Sequence, residues 1–326
     1  MSTVEDIARD VIAAVDSDAG YLLASRWVAK RYQQLCSRAR FRHLRKVGQL
    51  VIHAAIRDGI VVATQGSDTV TTTDATTIAA WRAHEAEIPK RWFRARTNWY
   101  EISDVQIGTV TASLRLTTPF VESPPIPPAS GNFGYAIAER YVSLDPQVRW
   151  VSDSMLLQPR SVSLQHMPLG ELDITYPRRP ILSGYGPVWW TEVGVDDDGN
   201  KKVEFYPYST TDNMVHYVFW AVPPLLGEKD QIPHEIDPYV LREGALIDAM
   251  RYNASRAANA GNAEGAAFWS NSYRAQSTAW ERNILEAIRN DKGIDDIGLI
   301  LRTNREVRPR DVVSAHDEIY ARGQRP

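Results

Sequence analysis

The hydrophobic positions of the chain follow two periods, and the places where one gives way to the other mark out its architecture. Val4, Ile7, Ala8, Val11, Ile12 and Val15 recur at the spacing of one helix face and stop at Asp16-Ser17-Asp18-Ala19-Gly20. A second helical pattern predicts a helix over residues 21–46. From Gln49 the period turns alternating. Residues 51–63 are apolar and β-branched around Asp58-Gly59, which predicts a hairpin turn, and Gly66-Ser67-Asp68 leads into a threonine-rich strand at residues 69–73. Residues 78–88 fit a loop or one helical turn. Strand patterns follow at residues 92–96, 99–102, 109–118, 135–137, 140–144 and 148–151, with a strand pair at 155–164 and a short helical turn at 168–173. Val193 and Val195 face Val203 and Phe205 across Asp196-Asp197-Asp198-Gly199-Asn200, a hairpin pattern, and residues 215–222 close the series. About ten short strands without a helix of crossover length between them argue for an antiparallel sandwich or barrel.

The helical period then returns. Asp237-Pro238 supplies an acceptor side chain for free amides and a proline at the first helical position, opening a helix that reaches about Asn259. Its apolar face reads Tyr239, Leu241, Ala245, Leu246, Ala249, Met250 and Tyr252. Ala260-Gly261-Asn262 breaks the pattern as the turn of a helical hairpin does. Ala266, Trp269, Tyr273, Gln276, Trp280, Ile284 and Ile288 form the second face, ending before a C-cap glycine at Gly293. Two such helices cannot bury both faces alone, and the N-terminal helices are their natural partners. The expected fold class is therefore α+β. An α-helical bundle is built from the N- and C-terminal helices, with an inserted antiparallel β-sandwich or barrel-like domain and an extended C-terminal arm. The expected boundaries are 1–48 and 232–293 for the helical domain, 49–231 for the β insertion and 294–326 for the arm.

Composition narrows the function classes. The 326 residues are 44% hydrophobic, enough for a sizeable core, and include ten Trp and fourteen Tyr. These rings serve a large core or an interface equally well. A net charge of −3 describes no general nucleic-acid binder. Cys36 is the sole cysteine, which leaves no intramolecular disulfide and no cysteine-rich zinc site. The acidic start Ser2-Thr3-Val4-Glu5-Asp6 lacks the form of a signal peptide, and no apolar run is long enough to span a membrane, so a soluble protein of a reducing compartment is expected.

Motifs of catalysis are hard to find. Gly184-Tyr185-Gly186 lacks a third glycine and precedes a proline, so it cradles no phosphate. The acidic turn at 196–200 runs into Lys201-Lys202 without the closing glutamate of a calcium loop. His234-Glu235 has no second histidine four residues after the first, and the seven histidines are scattered. No metal or cofactor is expected, and no enzyme activity. One charge feature stands out: residues 19–57 contain no Asp or Glu but many basic residues, among them Arg26, Lys30, Arg31, Arg38, Arg42 and Arg45. Such a face is either balanced by acids from elsewhere in the fold or aimed at a polyanion or an acidic partner.

The order of the features resembles a family. The leading helical segment runs into Gly66-Ser67-Asp68-Thr69-Val70-Thr71. Trp99-Tyr100-Glu101-Ile102, residues 114–120, Tyr135-Ala136-Ile137 and Tyr141-Val142-Ser143-Leu144 follow. Phe205-Tyr206-Pro207-Tyr208 precedes a strand ending Trp220-Ala221-Val222-Pro223-Pro224-Leu225, and Ile232-Pro233 leads into the helix over 239–252. Over roughly residues 20–290 this arrangement resembles the head-to-tail adaptor (connector, or neck) proteins of tailed bacteriophages. No single element is specific; the resemblance lies in their succession. It implies a virion protein, made in the host cytoplasm, that forms a homo-oligomeric, dodecameric ring beneath the portal protein. The ring would contact the tail or next neck protein, with packaged double-stranded DNA passing through its channel and no membrane involved. Trp269, Tyr273 and Trp280 are then candidates for the subunit interface or for core. The basic face Arg26, Lys30, Arg31, Arg38, Arg42 and Arg45 would turn to portal or DNA, a protein contact being favoured because many channel arginines would hold DNA back.

Beyond Gly293 the apolar run Ile297-Gly298-Leu299-Ile300-Leu301 is followed by a basic, weakly periodic tail. Leu299, Ile300, Leu301, Arg302, Arg305, Val307, Arg308, Arg310, Val312, Val313, Ile319 and Tyr320 are the candidate portal-binding arm, ordering on its partner. The proline-dense stretch at 122–131 reads as a connecting loop. Two rival readings remain: another neck or tail-completion component (a stopper or tail-tube protein), and a carbohydrate-binding β-sandwich with exposed aromatics on one sheet.

Overall fold

A computed structural model describes residues 2–122, 133–158, 161–177, 179 and 186–291. The chain forms two compact units, one from Met1–His43 together with the chain from Pro223 onward, the other from Leu44–Val222. Both helices and sheets are present, so the class is α+β.

In the first unit, α1 (Val4–Ala14) opens with a reciprocal cap between Thr3 and Asp6 and buries Val4, Ile7, Ala8 and Val11. The second helix, α2 (Tyr21–Cys36), buries Ala24, Val28, Tyr32 and Leu35. It does not continue to residue 46. A short 3-10 turn at Arg42–Leu44 intervenes, and Arg45–Ile52 is strand β1. Gly48 weakens a helix by about 1 kcal/mol relative to alanine, while β1 gains a full ladder with a partner strand. The units accordingly divide at 43/44 and 222/223 rather than at 48/49 and 231/232. Gln231 bridges Thr3, and Ile232 is buried in the helical unit.

Among residues 44–222, α3 (Ala75–Ala83) and α4 (Leu169–Thr175) are the only helices longer than one turn described. The strands after β1 are β2 (Val62–Ala63), β3 (Thr69–Thr72), β4 (Trp92–Arg94), β5 (Trp99–Ile107), β6 (Ala112–Leu116), β7 (Ala136–Ala138), β8 (Val142–Ser143), β9 (Val148–Gln158), β10 (Val162–His166), β11 (Trp189–Val195), β12 (Lys201–Tyr206) and β13 (Asn213–Ala221). They build a seven-stranded sheet, β1-β13-β9-β10-β11-β12-β8, and a six-stranded one, β2-β3-β6-β5-β4-β7. The first has its core around Met155, Leu157, Leu164, Trp190 and Val203; the second around Val61, Val70, Trp81, Phe93, Leu114 and Ile137.

Three expectations about this unit change. Residues 51–63 are not a hairpin. Ile56 bridges Ile137 and Val61 bridges Phe133, and the turn at Gly59 (φ +89°) lies so close to Asp74 and Thr77 that a Cβ there would meet Thr77 Oγ1 at 2.1 Å. Residues 75–83 form a full helix capped by the Asp74 carboxylate on Thr77 N–H at 2.9 Å. The sheet is also not wholly antiparallel, because β10 and β11 pair in parallel. Their connection passes through α4, the kind of crossover parallel strands require.

A buried charge cluster pins that crossover. Glu204 (1% exposed) accepts from Arg179 Nε at 3.1 Å and from the Tyr208 hydroxyl at 2.7 Å. Arg179 also donates to the carbonyls of Leu172 and Tyr176 at 2.9 and 2.8 Å. Burial, with the Glu204 charge beside it, pushes the Tyr208 hydroxyl well above its ordinary value. Removing one partner strands a buried charge, whereas an apolar replacement of both does not. Glu204→Ala is expected to cost about 3–5 kcal/mol in urea unfolding, with Arg179→Met/Glu204→Leu costing less than the single change.

In the helical unit, His43 is held against the Tyr32 hydroxyl at 3.1 Å and Cys36 Sγ at 3.8 Å, and burial keeps its imidazole below the ordinary 6.5. A histidine whose folded value is depressed stabilises the fold above its unfolded value, and that contribution is lost as pH falls below about 6.5. The thermal midpoint is therefore expected to drop between about pH 7 and 5, and His43→Gln to flatten that drop.

Candidate docking surface on the helical unit

The candidate site is the seam between α2, α5 (Pro238–Asn259) and α6 (Ala263–Asp291). Asp237 caps α5 by accepting from Tyr239 N–H at 2.9 Å, with Pro238 at the first position. Gly261 (φ +75°) turns the chain into α6. The buried face of α5 is Val240, Leu241, Gly244, Ala245, Ile247, Asp248 and Ala249; Tyr239 points out, 53% exposed. On α6 the predicted face holds: Ala266, Trp269, Tyr273, Gln276 and Ile288 are half-buried, Trp280 and Ile284 buried.

Trp280 sits where the three helices meet. Its indole N–H donates to Val240 O at 3.0 Å, and its ring lies so close to Gly244 that a Cβ there would come within 2.6 Å of Nε1. The Arg31 guanidinium stacks on the ring at 4.5 Å and that of Arg38 at 5.7 Å. Arg31, only 6% exposed, donates from Nε to Asp248 Oδ2 at 2.7 Å, and Lys30 reaches the other Asp248 oxygen at 3.3 Å. Arg38 forms a two-pronged pair with Glu281, one prong at 2.9 Å. Each partner stabilises the other's charge, raising the Arg38 value and lowering that of Glu281. Arg42 holds Asp291 through its backbone N–H and its Nε, both at 3.2 Å. The cleft that remains, about 320 Å³, is lined by Lys30, Gln34, Arg38, Arg251, Ser277 and Trp280 among others.

The acid-free segment is thus answered within the fold by Asp248, Glu281 and Asp291. Of the basic face, Arg31 is an internal residue rather than a docking residue. Lys30, Arg38 and Arg42 are paired, while Arg26 lies exposed on α2 and Arg45 exposed at the start of β1. Trp280 is likewise a core side chain of a single chain, because it is 2% exposed without any partner. Trp269 and Tyr273 keep part of their surface; Trp269 packs edge-on to Phe268 at 5.2 Å, and Arg251 stacks on Tyr273 at 5.2 Å. Phe268 (62% exposed) and Leu285 (57%) stand on the open side of α6 and escaped the sequence reading because they fall off the apolar stripe. Asp248, Gly244 and Glu281 escaped it too, and their only signal was the acid-free run itself, whose cations needed partners. Leu299, Ile300, Leu301, Arg302, Arg305, Val307, Arg308, Arg310, Val312, Val313, Ile319 and Tyr320, with Gly293 and most of the proline-dense loop, lie outside the described residues.

The β unit offers a shallower basin of about 700 Å³, lined by Gly66, Ser67, Asp68, Asp104, Arg115 and Thr117 among others, with Arg115 paired to Asp68 at 3.3 Å. Among the described residues no aromatic ring lines it. Among the described residues no helix is long and apolar enough to cross a membrane, and no group of three metal-ligating side chains converges. No protein-family model matches the chain, and no curated protein sequence does.

Trp280→Ala is expected to remove about 3–5 kcal/mol of folding stability, read as a lower urea midpoint of the isolated chain. Gly244→Ala should also lower it, by forcing the indole out of its seat. An unchanged midpoint in both variants would contradict the core role.

Proposed function

We propose that the chain is a structural virion protein, a head-to-tail adaptor of a tailed bacteriophage. In this reading it forms a dodecameric ring under the portal, joins capsid to tail through a tail or neck protein, and lets packaged DNA pass. The observation that carries the reading is the discontinuous helical unit. Helices from both ends of the chain combine, and a whole β unit is inserted between them, the organisation expected of such adaptors. Two further features support it. The α5–α6 hairpin leaves an open side with Phe268 and Leu285, a surface suited to a neighbouring subunit. Four cations of the basic segment, Lys30, Arg31, Arg38 and Arg42, pair with acids of the same chain, as suits a channel through which DNA slides rather than binds. In the finer fold, α1, α2, α5 and α6 are the bundle that forms the ring wall, and the β unit is its barrel-like insertion. The arm over 299–326 is the portal contact.

The carbohydrate-binding reading rests on Trp150, which lies opposite Trp220 on β9 and β13, both half-exposed. Arg149 already stacks on the Trp150 ring at 4.4 Å, which takes the face a sugar would use. The adaptor is the better fit.

Negative-stain imaging and mass photometry of the purified chain, alone and with portal, test the proposal. Rings are expected, either free or on the portal, and deletion of residues 299–326 should abolish portal binding while leaving the thermal midpoint of the folded units unchanged. A persistent monomer indifferent to portal overturns it.

A further inference from the structure

The cleft between α2, α5 and α6 carries more positive charge than its ion pairs neutralise. Lys30, Arg31, Arg38 and Arg251 all line it, and among its described lining residues Glu281 is the only acid. Lys30 and Arg31 share one carboxylate, that of Asp248, at 3.3 and 2.7 Å. Arg38 is matched one to one by Glu281. Arg251 stacks on Tyr273 at 5.2 Å and forms an ion pair with no described acid. Four cations therefore meet two acids, and two positive charges are left over. One of the four is fixed within the fold. Arg31, 6% exposed, is held at Nε by Asp248 and at Nη1 by Gln34 Oε1 at 3.1 Å, while its Nη2 donates to no described residue. Like charges gathered in one cleft repel each other, more strongly where burial removes water, and an anion seated among them reverses the sign of that interaction.

The lining narrows the anion's chemistry. Guanidinium forks and an ammonium group only donate, and their geometry matches the oxygens of a phosphate. Gln34 and Ser277 add neutral polar groups to the wall, and a volume of about 320 Å³ has room for a small ion or ester. Trp280 is 2% exposed and covered by the guanidiniums of Arg31 and Arg38, so no ring face is left for a base to stack on. Charge then separates one kind of phosphate from another. A free phosphate or a monoester carries close to two negative charges at neutral pH, and each diester of a nucleic-acid backbone carries one. The surplus in the cleft matches the dianion.

We propose that this cleft is a binding site for a phosphate dianion, either the free ion or the phosphoryl group of a small monoester. The site lies within a single chain, so the inference is independent of the adaptor reading and holds whether or not a ring forms.

Isothermal titration calorimetry of the full chain at constant ionic strength tests it, with inorganic phosphate, methyl phosphate, dimethyl phosphate and a DNA duplex as titrants. One phosphate or methyl phosphate is expected to bind per chain, and dimethyl phosphate about ten-fold more weakly. The tighter of the first two identifies the source of the group, and either result supports the site. Lys30→Gln and Arg251→Gln should each weaken methyl phosphate binding by about ten-fold, as loss of a charge-assisted donor does. Both side chains stand at the surface, and the thermal midpoint without ligand serves as the control for folding. Absence of binding at millimolar ligand overturns the proposal, as does equal affinity for the diester or unchanged affinity in the Lys30→Gln/Arg251→Gln double variant. Tighter binding of the DNA duplex, lost in that double variant, also overturns it, because the cleft would then serve a phosphodiester backbone.

Discussion

The helical unit depends on one buried contact, the Arg31–Asp248 ion pair under the Trp280 ring. It joins residues 217 apart in sequence, and around it meet all three helices of the seam. A buried pair of this kind is a poor source of net stability, because desolvation offsets most of the attraction. What it provides is specification. Only one rotation of α2 against α5 brings Arg31 to Asp248, and only that rotation puts the indole N–H on Val240 O and its ring against Gly244. A slipped or rotated helix would leave a charge and an indole N–H buried without partners, at several kcal/mol.

Bringing such distant segments together carries an entropic cost that rises slowly with loop length, as the logarithm of the residues enclosed. The β unit removes most of it. Its entry strand, β1, and its exit strand, β13, are neighbours in register from Arg45↔Trp220 onward. Once that ladder forms, the two chain ends emerge together, and to the helices the whole insertion behaves as a short closed loop. The same ladder explains why residues 45–52 are strand although the pattern before them is helical. Eight ladder positions with β13 outweigh the continuation of α2 through Gly48.

Much of the fold was legible from residue pattern. The capped start of α5 at Asp237-Pro238, the turn at Gly261, the α6 stripe from Ala266 to Ile288 and the hairpin around residues 196–200 all follow from local chemistry, which acts within a few residues. The α+β class followed from the change of period. The expectations that failed share one cause. The end of α2, the absence of a hairpin at 51–63 and the parallel pairing of β10 with β11 are each set by a partner far away in sequence, β13, Ile137 with Phe133, and β11 beyond α4 respectively.

The candidate site divides the same way. The sequence by itself determined that the segment from 19 to 57 carries uncompensated positive charge and that Trp269, Tyr273 and Trp280 share one helix face. Only the tertiary structure decided where these go. Arg31 is interior and Arg26 is not, although both lie on one helix, because a single acid at position 248 faces one of them. Trp280 is core while Trp269 keeps an open edge among the described residues, because the Arg31 and Arg38 guanidiniums and Gly244 close over the one ring. Burial and ion pairing are properties of two surfaces at once, and a linear pattern describes only one of them.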